Sequence, residues 1–341
     1  MKTLELKDMQ KIRNILITLL CITTVISCGA QKNKKETKEE ENKEVLIPTF
    51  NADSAYAYIE KQVSFGPRVP NSAGHKACAS YLKSKLEEVG AKVTTQEIEV
   101  TAYDGTLLNA TNIIGSYQPD KKKRVALFAH WDTRPWADND PDSKHHYTPV
   151  IGANDGASGV GVLLEIGRQL SQNEPELGVD LILFDAEDYG PHQEYRGEHN
   201  EAYWCLGSQH WAKHPHVANY NARFGILLDM VGGENATFFK EYYSEHYAKE
   251  INSKVWKRAH KLGYSAFFIK KVANWPVIDD HLFVNKLARI PTIDIIPHHP
   301  NNPQSSFGDT WHTVDDTLEN INRETLKAVG QTVLAIIYNE K

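Results

Sequence analysis

Four short apolar runs in this chain each end on carboxylates or imidazoles. Val125-Ala126-Leu127-Phe128-Ala129 runs into His130-Trp131-Asp132, and Leu181-Ile182-Leu183-Phe184 runs into Asp185-Ala186-Glu187-Asp188. Ile226-Leu227-Leu228 ends on Asp229, and Ile293-Asp294-Ile295-Ile296 ends on Pro297-His298-His299. Continuously apolar runs of this length suit strands covered on both faces, as parallel sheets are. Open α/β sheets form their sites at the carboxyl ends of such strands. One polar strand end is an ordinary loop start. Four of them line one sheet edge with ligand-type side chains.

The rest of the chain supplies the helices that such a sheet needs. Asn51, Asp53 and Ser54 are cap-type residues before a helix reaching about Val63, and Phe65-Gly66-Pro67-Arg68-Val69-Pro70 breaks it. Ser72 to Val89 reads as a helix with an apolar stripe at Ala77, Tyr81, Leu82 and Leu86, ended by Gly90. Further helical patterns cover 157–170, 244–262, 280–287 and 323–338, and extended runs cover 93–100, 112–116, 125–129, 179–184, 224–228 and 292–296. Strands alternating with helices predict one α/β domain with a mostly parallel sheet, over residues 47–341.

The first residues belong to a different class. Lys2, Lys7, Lys11 and Arg13 precede an apolar run from Ile15 to Ile26, too short for a comfortable membrane span. The run closes on Val25-Ile26-Ser27-Cys28-Gly29, which resembles a bacterial lipoprotein signal. Residues 1–27 then form the signal and Cys28 is the lipidated first residue. The alternative is a plain secretory signal with an incidental Cys28. Gln31 to Glu44 holds five Lys, five Glu and no apolar residue, so it reads as a solvated tether, with 28–46 as the linking segment. The expected location is the cell envelope, anchored to a bacterial membrane through the lipid alone.

Composition narrows the chemistry. Lys plus Arg is 38 and Asp plus Glu is 44, a net charge of −6, which argues against a nucleic-acid partner. Four Cys are too few for a disulfide scaffold, and Cys21 and Cys28 fall before the fold. Cys78 and Cys205 could form one disulfide or stay as two buried thiols. The fifteen His allow a metal site of imidazoles and carboxylates. The pairs His145-His146 and His298-His299 are expected in surface loops.

Each motif has a structural and a chemical reading. His130 and Asp132 share a face of an extended chain, so Asp132 either orients the imidazole or caps a turn. Asp155, in Gly152-Ala153-Asn154-Asp155-Gly156-Ala157-Ser158-Gly159, is a helix N-cap or a metal ligand. The glycines do not follow a strand as a phosphate loop requires, and Ser158 lacks a nucleophile elbow. Asp185, Glu187 and Asp188 repel one another unless something positive compensates, and a divalent metal does so. Asp280 opens a helix as a cap or as a site residue. His312 and Asp315, after Trp311, belong to a late loop or to a site.

Taken together and in this order, His130-x-Asp132, Asn154-Asp155-Gly156, Glu187-Asp188, Leu228-Asp229, Asp279-Asp280-His281 and Trp311-His312-Thr313 resemble the zinc aminopeptidase-like superfamily, and within it the glutaminyl-peptide cyclotransferases. The resemblance runs from Gly66-Pro67-Arg68 to the C-terminal helix. It implies an α/β/α sandwich around a mixed, mostly parallel sheet, with one zinc per chain at the strand ends. On matching positions the zinc ligands are Asp155, Asp188 and His312, the general acid/base is Glu187, the paired aspartates are Asp229 and Asp279, and Trp311 lines the substrate pocket. His130, Asp132 and His281 are supporting residues or alternative metal ligands. The implied substrates are peptides and proteins beginning with glutamine, and a monomer is expected. Two departures stand out: Glu187-Asp188 replaces the family's frequent Glu-Glu, and residues 189–204 form a longer segment. Two other readings use the same scaffold. A two-zinc aminopeptidase would take His130, Asp155, Asp188, Asp229 and His312 as ligands. A non-catalytic binding lipoprotein would have no need of Glu187.

Overall fold

A computed structural model describes residues 46–341. The signal, Cys28 and most of the tether lie outside the described residues. Helix α1 (Ala52–Val63) starts where Asn51 accepts a hydrogen bond from the Ser54 backbone N–H, and α2 (Ala73–Glu88) starts where Ser72 accepts one from His75. The edge hairpin β1 (Lys92–Thr101) and β2 (Leu107–Tyr117) follows, then β3 (Arg124–His130), α3 (Ala157–Gln172) and β4 (Gly178–Phe184). The second half carries α4 (Leu206–Lys213), β5 (Gly225–Leu228), β6 (Phe238–Lys240), α5 (Tyr242–Tyr247), α6 (Lys249–Lys261), β7 (Phe268–Val272), α7 (Asp280–Phe283), β8 (Thr292–Ile295) and α8 (Arg323–Asn339).

Six strands form one sheet in the order β1-β2-β4-β3-β5-β8. The β1–β2 and β2–β4 pairs are antiparallel, and β4, β3, β5 and β8 run parallel. This is the mixed, mostly parallel sheet that the alternating pattern implies. Strand side chains alternate between two cores. Val125, Leu127, Ala129, Leu181, Leu183, Ile226 and Leu228 pack under α1, α2, α3, α6 and α8. Ala126, Phe128, Ile182, Phe184 and Leu227 pack under α4 with Trp211, and against Val284 and Ile290. Helices on both faces make the α/β/α sandwich. Each fully buried Leu, Ile or Phe supplies about 1.5–3 kcal/mol of burial free energy.

Several expectations need correction. The single helix over 244–262 is two helices, because Ala248 leaves the helical region at φ −139° and ψ 37°. Helix α4 and the small parallel pair β6–β7 are not apparent from the sequence pattern; both are short, and β7 is lysine-rich and largely exposed. His298 is buried, edge-on to Trp275 at 4.3 Å and Phe239 at 4.7 Å, so it belongs to an aromatic cluster and not to a surface loop. Cys78 and Cys205 are buried free thiols. Among the described residues no helix is long and apolar enough to cross a membrane.

Candidate active site

The parallel strands β3, β4 and β5 bring their terminal residues to one edge. His130 ends β3. The chain continues extended, and the Asp132 carboxylate accepts hydrogen bonds from the backbone N–H groups of Glu187, at 3.1 Å, and Asp188, at 3.2 Å. Asp132 therefore organises the loop after β4, and it also lies 3.5 Å from His130 Nδ1. Ala186 adopts a left-handed φ of 51°, which divides the three carboxylates. Asp185 turns away and pairs with His75 Nε2 at 2.8 Å, while the His75 ring stacks on Trp131 at 4.4 Å. Glu187 and Asp188 remain at the site.

Asp155 is not the cap of α3. That position is Gly156, at φ +87° and with no side-chain capping bond. The carboxylate is thus free for other work. A Cβ at Gly156 would lie 2.7 Å from the Asp132 carbonyl and 3.0 Å from the His130 ring, so the turn needs glycine for close approach. Asp316 holds the loop by accepting from the N–H groups of Asn154, at 2.7 Å, and Asp155, at 2.9 Å. Burial, aggravated by the nearby Asp155 charge, pushes Asp316 up to about 7. Asp315 beside it is exposed. Helix α8 is capped by Asn322.

His312, also left-handed at φ 54°, completes the constellation. Its Nε2 lies 3.2 Å from Asp188 and 3.5 Å from Asp155. Its Nδ1 lies 3.6 Å from Asp138, whose carboxylate is gripped by Arg134 at 2.6 and 2.9 Å. Arg134 also donates to the Asp188 carbonyl at 3.1 Å. Trp311 stacks on His312 at 3.9 Å and packs on Phe307, next to Met230, Val277 and Ile296.

Ligand atoms of Asp155, Asp188 and His312 lie within 4.8 Å of one another, as do those of His130, Asp155 and Asp229. The two groups share Asp155. Asp188 Oδ2 is buried without a hydrogen-bond partner, and two carboxylates and an imidazole are a donor set suited to zinc. The residues present fit the metal. His130 Nε2 also lies 3.1 Å from Asp229. Burial alone would suppress the His130 imidazolium, but Asp132, Asp155 and Asp229 outweigh it and raise its pKa well above the ordinary value. Glu187 is likewise raised well above a normal carboxyl, chiefly by burial and further by Asp188, Asp279 and Asp280, against the opposing pull of His130.

Asp279 and His281 lie in an adjoining cluster. Asp279, not Asp280, caps α7, and it groups with His281 and Asp294. His281 Nε2 is 3.0 Å from Glu241, so one of its two ring nitrogens is committed away from the Asp155–Asp188–His312 group. The long segment 189–204 forms an aromatic rim: Arg134 lies 5.1 Å from the Trp204 ring centroid, Tyr195 packs on Tyr103, and His192 stacks on Tyr147. Sequence reading missed His75, Arg134, Asp138, Asp316, Glu241 and Asp294. Only Arg134 and Asp138 carried a local signal, an i,i+4 charge pair directly after the His130 motif.

Buried carboxylates and imidazoles at parallel strand ends, beside a carboxyl whose pKa burial raises, are the groups of a metal-dependent enzyme. The chain belongs to Peptidase family M28, whose model matches residues 112–337. It is 63% identical to the crystal structure of Bacteroides thetaiotaomicron glutaminyl cyclase bound to N-acetylhistamine, covering 87% of this chain and 100% of that one at a TM-score of 0.85. Tannerella forsythia glutaminyl cyclase is 56% identical, covering 86% of this chain and 100% of that one at a TM-score of 0.84. Aminopeptidase YwaD of Bacillus subtilis is 27% identical over 307 residues, 84% of this chain, and this chain spans 58% of its length.

Proposed function

We infer that this chain is a zinc-dependent glutaminyl-peptide cyclotransferase, which converts the N-terminal glutamine of peptides and proteins to pyroglutamate and releases ammonia. The observation that carries this reading is the 63% identity, over 87% of the chain, to a glutaminyl cyclase of the same fold. The buried Glu187 beside Asp155, Asp188 and His312 agrees with it.

Asp155, Asp188 and His312 would hold the zinc, which supplies Lewis-acid polarisation of the side-chain amide carbonyl. Glu187 takes a proton from the α-amine as that nitrogen bonds to the amide carbon, then delivers a proton to the departing nitrogen, which leaves as ammonia. An α-amino group titrates at about 7.7–8.0, and the upward shift that burial gives the Glu187 carboxyl brings the two closer. Asp229 and Asp279 hold the amine through hydrogen bonds. The nucleophile and the amide belong to one residue, so orientation supplies much of the rate. The Trp311 wall keeps water from diverting the reaction to hydrolysis.

The two-zinc aminopeptidase is the second reading, favoured by the His130–Asp155–Asp229 group. An assay with two substrates separates the two. Ammonia release from a Gln-initiated peptide supports cyclisation, and release of a free N-terminal amino acid supports the peptidase.

The Cys28 motif further supports export and lipid anchoring in the cell envelope. Palmitate labelling lost in Cys28→Ala is the expected result, and an unlabelled parent chain ends the proposal.

A further inference from the structure

We propose that Cys205 is a positioning residue for Glu187, holding its carboxylate in the orientation that proton transfer requires. Cys205 Sγ lies 3.1 Å from Glu187 Oε1. Among the described residues this is the one hydrogen bond made to the Glu187 side chain. Cys205 is fully buried, at 0% exposure. Burial, reinforced by the Glu187 charge, raises the thiol well above its ordinary pKa, so it keeps its proton and acts as the donor.

The sulfur is placed there by backbone, not by chance packing. The N–H groups of Cys205, Leu206 and Gly207 donate to the carbonyls of Glu187, Ala186 and Asp185 at 2.9, 2.9 and 3.0 Å. Three consecutive bonds thus clamp the start of α4 onto the loop that carries the base. A Cβ at Gly207 would run into the Asp185 carbonyl oxygen, so the clamp closes on glycine. Segment 189–204 is the loop that leaves Glu187-Asp188 and returns to this clamp.

The terminal torsion of a glutamate is soft and roughly two-fold. An unanchored carboxylate rotates, and its oxygens exchange roles. The thiol fixes Oε1 and leaves Oε2 for the substrate proton. Such fixing matters most in the transition state, where proton position is critical, so its loss falls on kcat more than on KM. This inference rests on the reading of Glu187 as the general base.

Cys205 sits at φ 57°, a left-handed conformation that excludes β-branched replacements, so alanine and serine are the informative variants. Cys205→Ala removes the donor and should lower kcat by about five- to tenfold, with KM and zinc content unchanged. Cys205→Ser restores a donor and should recover most of that loss. Rates of Cys205→Ala within twofold of the parent, a serine variant no better than alanine, or a loss confined to KM would each overturn the proposal. The infrared S–H stretch of the unaltered full chain gives a test that needs no Cys205 variant to be active. The Cys205 band should lie below that of a free thiol and move in Glu187→Gln, and a band that does not move overturns the proposal. If Glu187→Gln retains turnover, the general-base reading falls and takes this inference with it. If Glu187→Gln is inactive while Cys205→Ala works at the parent rate, only the inference about Cys205 falls.

Discussion

The carboxylate of Asp132 accepts a hydrogen bond from the backbone N–H of Glu187 at 3.1 Å. Its other oxygen accepts from Asp188. The end of β3 therefore sets the position of both Glu187 and Asp188 in the loop after β4. Asp132→Ala should lower kcat/KM by about 10- to 100-fold, as loss of an outer-shell partner generally does. A variant with parent activity would show that the loop holds its shape without Asp132.

Glu187→Gln keeps the shape and burial of the side chain but removes the carboxylate proposed to move the proton. Turnover should be abolished while zinc remains bound at the parent level. Metal content measured on the purified variant separates loss of chemistry from loss of the site.

Metal content also tests the donor set. One zinc per chain is expected, and two tightly bound ions would favour the aminopeptidase reading. Asp138, held by Arg134, faces His312 Nδ1, so Asp138→Ala should weaken zinc binding by about 10- to 100-fold in a chelator competition. Chelation should lower the melting temperature, because free zinc at 100 times Kd stabilises the fold by about 2.7 kcal/mol.

Stability in acid should depend on Glu241. Burial would raise this carboxyl, but His281 and the N–H groups of Tyr243 and Ser244 together bring it down from 4.5 to about 2. A carboxyl depressed in the folded state contributes fully above its unfolded pKa and loses that contribution as pH falls through the folded one. The window runs from about 4.5 to about 2, and the contribution is roughly 3 kcal/mol. Urea unfolding of the parent and Glu241→Gln should therefore differ most above pH 5 and converge toward pH 2. A constant gap across that range would locate the effect elsewhere.

The sequence by itself determined the sheet and its reactive edge. Runs such as Val125–Ala129 and Leu181–Phe184 are apolar at every position, the pattern of a strand buried on both faces, and both are such strands. Glu187, Asp188 and Asp229 were legible because each follows such a strand directly, and Asp155 and His312 because each falls in a short motif that keeps its order along the chain. Tertiary structure decided which carboxylate does what. Asp185 and Glu187 are two residues apart in one loop, yet His75 takes the first and burial raises the second. Asp316, not Asp315, holds the Asp155 loop, and Glu241 claims His281. Cys205 reaches Glu187 from 18 residues away. These partners come from distant segments, and the energy of a buried charge depends on what surrounds it in space. No local pattern encodes that.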